Sequence, residues 1–381
     1  MKEGELIDAA MACALLGVRP QTLYAYVSRS LLRAESDPQD ARRSLYPRRE
    51  VEALARRHRR PRARARVAAG AIRWGEPVME TAISGVREGV LYFGESPAHE
   101  CAATMTLEEI AARHCGVPFL VTHPAHAVAS GDTTPLRRTL DYLAARADEG
   151  APMQDQRRRE IAAEGAALLS GAAGAMLGAA LDGPIHERFA SAWRLDGRAA
   201  EAVRSALVLL SDHELNPSTF AVRVCASTGA TLAAALLAGL ATLTGPRHGG
   251  VAARAREALD AAAEGPAAIE RFLAREAESD PYTFGFGHPL YPAGDPRAAY
   301  LLAREDPDNA VVAATRRLSR RLDLTPNIDA ALAAISRIHG LPGHAAFAIF
   351  AIGRLTGWIA HAIEQSETGQ IIRPRARYTP L

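Results

Sequence analysis

Three short segments of this 381-residue chain carry side chains suited to acid–base chemistry. Thr244 to Ala252, TGPRHGGVA, sets His248 against two glycines. FGFGHPLYPAGDPR places His288 among glycines, with Arg297 nine residues later. LTPNIDA puts Asp329 just after Pro326 and Asn327. Glycine lets backbone approach a ligand closely, and loops on a rigid scaffold are where catalytic groups tend to sit. Two imidazoles and a carboxylate in such settings could move protons together. Asp329 falls at an expected helix start, where the helix dipole favours its charged form, although N-capping alone would account for it there. His213, in SDHELNPST, taken alone reads as a capping or core histidine. Arg354 and Arg373 lie in the C-terminal stretch IGRLTGWIAHAIEQSETGQIIRPRARY.

The elements that must hold these residues are mostly helical, because the chain is Ala-rich and poor in Val. Periodicity predicts helices over LEEIAARH, Pro135 to Ala147, Gln156 to Leu181, Ala199 to Leu210 and Thr228 to Leu243. Further helices are expected at Val251 to Ala263, Ala267 to Ala277, Ala310 to Leu322, Ile328 to Ile338 and Ala345 to Glu364. A β-like piece is expected in TAISGVREGVLYFG, from its alternation and Gly punctuation. The longest apolar run, Gly165 to Leu181, is Gly/Ala-dominated and short for a bilayer span of about 20 residues. It reads as a core or subunit-interface helix, and no membrane association is expected.

The first 66 residues differ from the rest. They hold 15 Lys and Arg against 8 Asp and Glu, whereas the remainder holds 30 against 35, within a net charge of +2. A basic head on a mildly acidic body suggests two partners. LIDAAMACALLGV ends at Gly17, and VRPQTLYAYVSRSLL opens a second helix with Pro20 in its first turn. That helix would carry Gln21, Thr22, Tyr24 and Arg29, and a polar stretch with Arg42 and Arg43 follows. The order resembles the winged helix-turn-helix reader of the MerR family. That resemblance implies a recognition helix for DNA with arginines on the phosphates. The alternative is a small helical domain with a solvated basic face. PRARAR, Pro61 to Arg66, reads as a linker.

Cys13, Cys101, Cys115 and Cys225 are far apart and form no CxxC pair, as for reduced thiols in the cytoplasm. No signal peptide is expected, since the first residues are charged and Asp8 breaks the apolar run. His123 and His126 have a metal-like spacing but no carboxylate or Cys nearby, so no metal site is expected. The chain has no phosphate-binding G-x-x-x-x-G-K-[ST] segment, and the GFG before His288 does not continue into a dinucleotide fingerprint.

Taken together and in order, DHE-N-ST, GP-HGG, GFGH…DPR, PN-D and GW-AH-EQ…RPR-Y make residues from about Glu80 to Tyr378 resemble a citrate synthase. The resemblance covers roughly three quarters of the chain. It implies a mainly α fold, with a large helical domain (67–245 and 340–381) and a small mobile helical domain (246–339), behind the head domain of 1–66. It also implies a homodimer with active sites completed across the interface, and condensation of acetyl-CoA with oxaloacetate without a cofactor. In that scheme Asp329 takes the proton from the acyl methyl group, and His248 donates to the thioester oxygen as it becomes an enolate. His288 polarises and protonates the ketone. A carbon acid this weak requires base and oxyanion stabiliser to act together. His213 would bond to oxaloacetate, whose carboxylates suit the forked guanidinium groups of Arg297, Arg354 and Arg373, the last from the other subunit. The CoA adenine would lie along Tyr282, Thr283, Gly285 and Gly287, contacted mainly through backbone.

Some positions depart from the family pattern. Pro292 stands where a Lys or Arg near the CoA phosphate is usual. Ala252 replaces an Asn, Ala330 and Ala331 replace aromatics, and Tyr92-Phe93-Gly94 stands for Tyr-Arg-Gly. None removes an acid–base group. Small residues beside Asp329 raise the alternative of propionyl-CoA and a 2-methylcitrate synthase. A second alternative is a metabolite-sensing DNA-binding regulator on the same scaffold.

Overall fold

The computed structural model describes residues 6–16, 18–28, 31–37, 40–52, 54, 79–121, 133–376 and 378. The chain divides into two units, Met1–Glu80 and Thr81–Leu381. Arg29, the side chain of Arg42, the expected linker at 61–66 and the pair His123 and His126 lie outside the described residues.

In the first unit, strand β1 (Leu6–Asp8) leads into α1 (Ala9–Leu16), whose start is capped by Asp8 Oδ1 accepting from the Met11 amide at 2.8 Å. Helix α2 (Pro20–Ser28) follows after a short turn, with proline at its first position, where no amide is needed. Strands β2 (Glu35–Asp37) and β3 (Asp40–Pro47) complete an antiparallel sheet of order β1-β3-β2, and a helical stretch at 48–52 follows. Ile7, Ala12, Leu16, Leu23, Leu32, Tyr46 and Val51 form its core. Gln21 and Arg43 are exposed, Thr22 is half-buried, and Tyr24 is 57% exposed.

The second unit opens with the expected β piece, a hairpin of β4 (Ser84–Arg87) and β5 (Val90–Phe93) extended by β6 (Ser96–Pro97). Glu88 and Gly89 both have positive φ, as a tight two-residue hairpin turn requires. Helices then follow almost without break: α3 (Ala98–Thr104), α4 (Leu107–Cys115), α5 (Pro135–Glu149), α6 (Arg158–Leu177), α7 (Ile185–Trp193), α8 (Gly197–Leu210), α9 (Pro217–Ala226) and α10 (Leu232–Leu243). The series continues with α11 (Val251–Glu264), α12 (Pro266–Arg275), α13 (Pro296–Leu302), α14 (Ala310–Leu322), α15 (Ile328–Ile338) and α16 (Ala345–Thr368).

Two expectations about helices need correction. The helix expected over Thr228 to Leu243 is a shorter one, α10, and residues 228–231 lie before its start. Gly229, at φ +80°, breaks the chain, and Thr231 caps α10 by accepting from the Ala234 amide. Helix α6 also stops at Leu177, with left-handed Gly178 as its cap, four residues before the expected end. Helices α3 and α13 run over seven residues each, too short to show a clear period.

Helix α16 is the axis of the larger core. It is long and apolar enough to cross a membrane, but it lies inside the protein, packed by α4, α6, α8 and α9. Its glycines permit one decisive approach. A Cβ on Gly357 would sit 2.3 Å from the Ser211 carbonyl oxygen, so glycine alone lets the end of α8 press against α16. A second, smaller core of Ala255, Leu259, Phe272, Phe284, Phe286, Leu318 and Ala330 joins α11, α12, α14 and α15. The site residues lie on segments from both cores.

Candidate active site

Each side chain is aimed by a local device. Ser211 to Leu215 forms a tight turn after α8 in which Glu214 takes φ +50°, a sparsely populated conformation for a non-glycine residue. Glu214 is held there because its carboxylate accepts from the Val86 amide at 2.8 Å, while its own amide donates to Ser84 Oγ at 3.0 Å. This fixes His213, which is buried and hydrogen-bonded through Nε2 to Tyr291 Oη at 2.7 Å.

His248 lies in the turns between α10 and α11, with Nε2 2.8 Å from Ser218 Oγ. Ser218 Oγ also lies 2.7 Å from Asn216 Oδ1. The single hydroxyl proton can go to only one of these neighbours, so the Ser218 rotor decides which ring nitrogen of His248 carries its proton: donation to Asn216 makes Nε2 of His248 the donor, and donation to Nε2 leaves the proton on Nδ1. His288 accepts the Leu290 amide at Nδ1 (3.1 Å), which leaves Nε2–H as the donor of its neutral ring.

Asp329 is the second residue of α15. Asn327 caps that helix, its Oδ1 accepting the Asp329 amide at 3.0 Å. The side chain is buried, and among the described residues its Oδ1 has no hydrogen-bond partner. At this carboxylate burial outweighs the preference for the charged form that a helix start gives. Burial pushes Asp329 up to about 7; Arg297 pulls down, Asp295 pushes further up, and Arg354 pulls down too weakly to restore an ordinary value. A helix end contributes about 0.3–2 kcal/mol, less than it costs to bury an unpaired carboxylate.

The imidazoles are shifted the opposite way. Burial, followed by Arg297, Arg354 and the neighbouring histidines, holds His213 well below its usual range. Burial and then Arg354 lower His248 to about 3. Burial and Arg297 lower His288 to about 4, against a smaller upward push from Asp295. All three rings are therefore neutral at pH 7 beside a carboxyl group balanced between its two forms.

Direct contacts join most of the set. The His213 and His288 rings lie 5.4 Å apart, and Tyr282 sits 5.4 Å from His288. His248 packs edge-on at 5.8 Å against Phe350, which Arg354 covers from 4.9 Å. The charges of Arg297 and Arg354 reach both His213 and Asp329.

The two buried arginines are in different states. Arg297 is held by Asp295 through two bonds of 2.9 and 2.8 Å, and the same aspartate caps α13 and accepts the Ile328 amide. Arg354 spends Nε on the Leu210 carbonyl at 2.7 Å, while its Nη1 is buried without a hydrogen-bond partner among the described residues. Burial lowers Arg354 to about 10, and the nearby Asp212 keeps it from falling further. A buried guanidinium with an open N–H is a receptor for an anion.

Other expected site residues are placed differently. Arg373 is exposed on the C-terminal segment that follows α16. Tyr282 and Thr283 lie in a short 3-10 turn at Pro281–Phe284. The backbone groups of Gly285 and Gly287 are already used: Gly285 bonds Tyr282 and Asn327, and Gly287 bonds Thr325 and Asn327. Any nucleotide there must be met by other groups of the loop.

Ala330 and Ala331 do not open space beside Asp329. Each lies in one of the two cores, and a Cβ on Gly285 would come within 2.9 Å of the Ala330 methyl group. Their small size serves packing. Tyr291, Asp295, Ser218 and Asn216 were not singled out from the sequence. Asp295 lay in the DPR helix start and Asn216 and Ser218 in the DHE-N-ST segment, whereas Tyr291 had no such signal.

The family description "Citrate synthase, C-terminal domain" matches residues 113–375, more than half of the chain. The chain belongs to the citrate synthase family. A citrate synthase of Haloferax volcanii is 30% identical over 318 residues, spanning 76% of this family member and 83% of that relative. "Citrate synthase 2" of Bacillus subtilis is 34% identical over 189 residues, 47% of this chain and 50% of its own length. A 2-methylcitrate synthase of Shewanella oneidensis is 33% identical over 199 residues, 48% and 53% of the two chains. This citrate synthase homologue thus matches about half the length of the Bacillus and Shewanella relatives. Among solved structures, the citrate synthase of Thermoplasma acidophilum, in a ternary complex with carboxymethyl coenzyme A and oxaloacetate, superposes with a TM-score of 0.66 at 23% identity. That match covers 80% of this chain and 94% of that one, and it shows the shared fold.

Proposed function

We propose that the protein condenses acetyl-CoA with oxaloacetate and then hydrolyses the citryl thioester, releasing citrate and CoA. The observation that carries this reading is Asp329: a buried carboxyl with a free oxygen and a pKa near 7, among neutral imidazoles and an arginine with an unpaired N–H. A general base works best when its pKa lies near the operating pH.

In the first step the Asp329 carboxylate takes a proton from the acyl methyl group, and negative charge moves to the thioester oxygen. His248 stabilises that oxygen if Ser218 donates to its Nε2, because Nδ1 then carries the proton. The enolate carbon attacks the ketone of oxaloacetate, and His288 donates from Nε2–H to the ketone oxygen. The Leu290 amide keeps Nδ1 of His288 unprotonated, so the neutral ring stabilises the developing alkoxide by this hydrogen bond, and the proton that Asp329 removed reaches the alkoxide through solvent. Arg354 and the remaining N–H groups of Arg297 hold the carboxylates, joined by Arg373 of the partner subunit in a homodimer. Water then cleaves the thioester.

Acetyl-CoA is the proposed donor because the alanines next to Asp329 are packing residues and give no argument for a longer acyl chain. The test is CoA release from purified protein with oxaloacetate and either acetyl- or propionyl-CoA, followed with a thiol-detecting reagent. Release with acetyl-CoA that disappears in Asp329→Ala supports the reading. No release with either donor at high enzyme concentration overturns it, and faster release with propionyl-CoA moves it to a 2-methylcitrate synthase.

A second reading concerns the head. Two helices joined by a short turn, a hairpin behind them and an exposed Tyr24 on the second helix favour DNA binding by residues 1–66. Loss of retention on duplex DNA after deletion of 1–66, with turnover unchanged, would support it. No retention of the full chain at low salt would end it.

A further inference from the structure

We infer that Tyr291 is a positioning residue of the keto-acid site, fixing which nitrogen of His213 offers a proton to the ligand. The inference rests on the oxaloacetate reading above. Tyr291 is 2% exposed and lies in HPLYP, between Pro289 and Pro292. Two successive turns hold its backbone: its amide donates to the His288 carbonyl at 2.9 Å, and its carbonyl accepts the Gly294 amide at 2.9 Å. From that fixed point the side chain meets three groups of the site. Its hydroxyl lies 2.7 Å from His213 Nε2, its ring packs 4.8 Å from His288, and the Arg297 guanidinium sits 5.5 Å over its face.

A neutral imidazole has one N–H and one bare nitrogen, and a carboxylate or ketone can only accept. Whichever nitrogen of His213 carries the proton therefore decides whether the ring attracts oxaloacetate. Burial pushes the Tyr291 phenol above its ordinary value, so it keeps its proton through the working pH range. The phenol donates to His213 Nε2, which makes Nδ1–H the ring's single donor. The same ring buttresses His288 and gives Arg297 an aromatic face. One side chain thus couples the three groups proposed to hold and polarise the keto acid.

Two variants separate hydroxyl from ring. Tyr291→Phe keeps the stack and removes the donor. The expected result is about a tenfold weaker affinity for oxaloacetate, in KM and in calorimetric Kd, the worth of one hydrogen bond. KM for acetyl-CoA and Tm should hold, and the nitrogen NMR signals of His213 should lose the Nδ1–H pattern. Tyr291→Leu also removes the ring and should lower kcat further. A purely structural tyrosine would lower Tm and affect both substrates alike. Wild-type oxaloacetate affinity in Tyr291→Phe, or an unchanged His213 tautomer, overturns the inference. Calorimetry with oxaloacetate alone needs no turnover, so failure of the condensation reading appears separately as absent CoA release. A wild-type protein that binds no oxaloacetate removes both.

Discussion

Two buried aspartates close to Arg354 sit in opposite surroundings. Asp212, beside His213, is partnered at one oxygen: Ser84 Oγ donates to Oδ2 at 2.5 Å and His361 Nε2 lies 3.3 Å from it, while Oδ1 makes no hydrogen bond among the described residues and meets only the His361 ring at 3.2 Å. Behind His361, Arg223 bonds Glu364 at 2.7 Å and Gln365 at 3.0 Å. Burial pushes Asp212 up, but His361 and Arg354 outweigh it and hold the carboxyl far below its ordinary value. Asp329 has no such partner, and burial wins. The same residue type therefore serves as a fixed charge in one region and as a group that can gain or lose a proton in the other. The difference is the number of donors each carboxylate meets.

The sharpest way to break this comparison is to remove each carboxylate. Asp329→Ala is expected to cut CoA release by about 10³-fold, within the range for a lost general base. Calorimetric oxaloacetate binding should stay near wild type, because the arginines hold the carboxylates. Asp212→Ala should act on the fold instead. Stranding His361 and its buried neighbours costs about 3–5 kcal/mol, which denaturant melts would read as a lower midpoint. If Asp212→Ala left stability intact while Asp329→Ala unfolded the protein, the two roles would be reversed.

The next effect tests Asp329 through stability alone. Its folded pKa of about 7 lies above an unfolded value of about 4. Between these pH values the folded chain holds a proton that the unfolded chain lacks, so this group's contribution falls as pH rises from about 4 to about 7. Asp329→Asn should therefore raise stability above pH 7, by at most about 4 kcal/mol for a three-unit shift. The gain should shrink toward zero near pH 4. Equal Tm differences at pH 4 and pH 8 would deny the shift.

A smaller effect concerns packing. Gly357→Ala forces a methyl group against the Ser211 carbonyl and the Asp212 side chain. A cost of about 1–3 kcal/mol is expected, together with a higher KM for oxaloacetate because His213 follows the same turn. Wild-type melting of Gly357→Ala would show that the contact can relax.

Much of the site was legible in the sequence because its residues sit in Gly- and Pro-marked loops, which stand out between apolar helices. His248, His288 and Asp329 were found that way. The protonation state of Asp329 was not, since it depends on burial by segments far away in the chain. Tyr291 was overlooked for a similar reason: its meaning lies in His213, 78 residues earlier, and an isolated tyrosine has no local signature. The Asp212–His361 pair spans 149 residues and was equally hidden. In the fold, the late start of α10 at Leu232 did carry a signal in Gly229 and Thr231, but continuous apolarity outweighed it.

The central claim is that Asp329 is the base and titrates near neutrality. The most direct test is the pH profile of CoA release from acetyl-CoA and oxaloacetate. With the histidines neutral across the range, kcat/KM should rise with unit slope through one acid limb near pH 7 and then level off. Asp329→Asn should remove that limb together with nearly all the activity. Release that is flat from pH 5 to 8, or that survives in Asp329→Asn, would contradict the account.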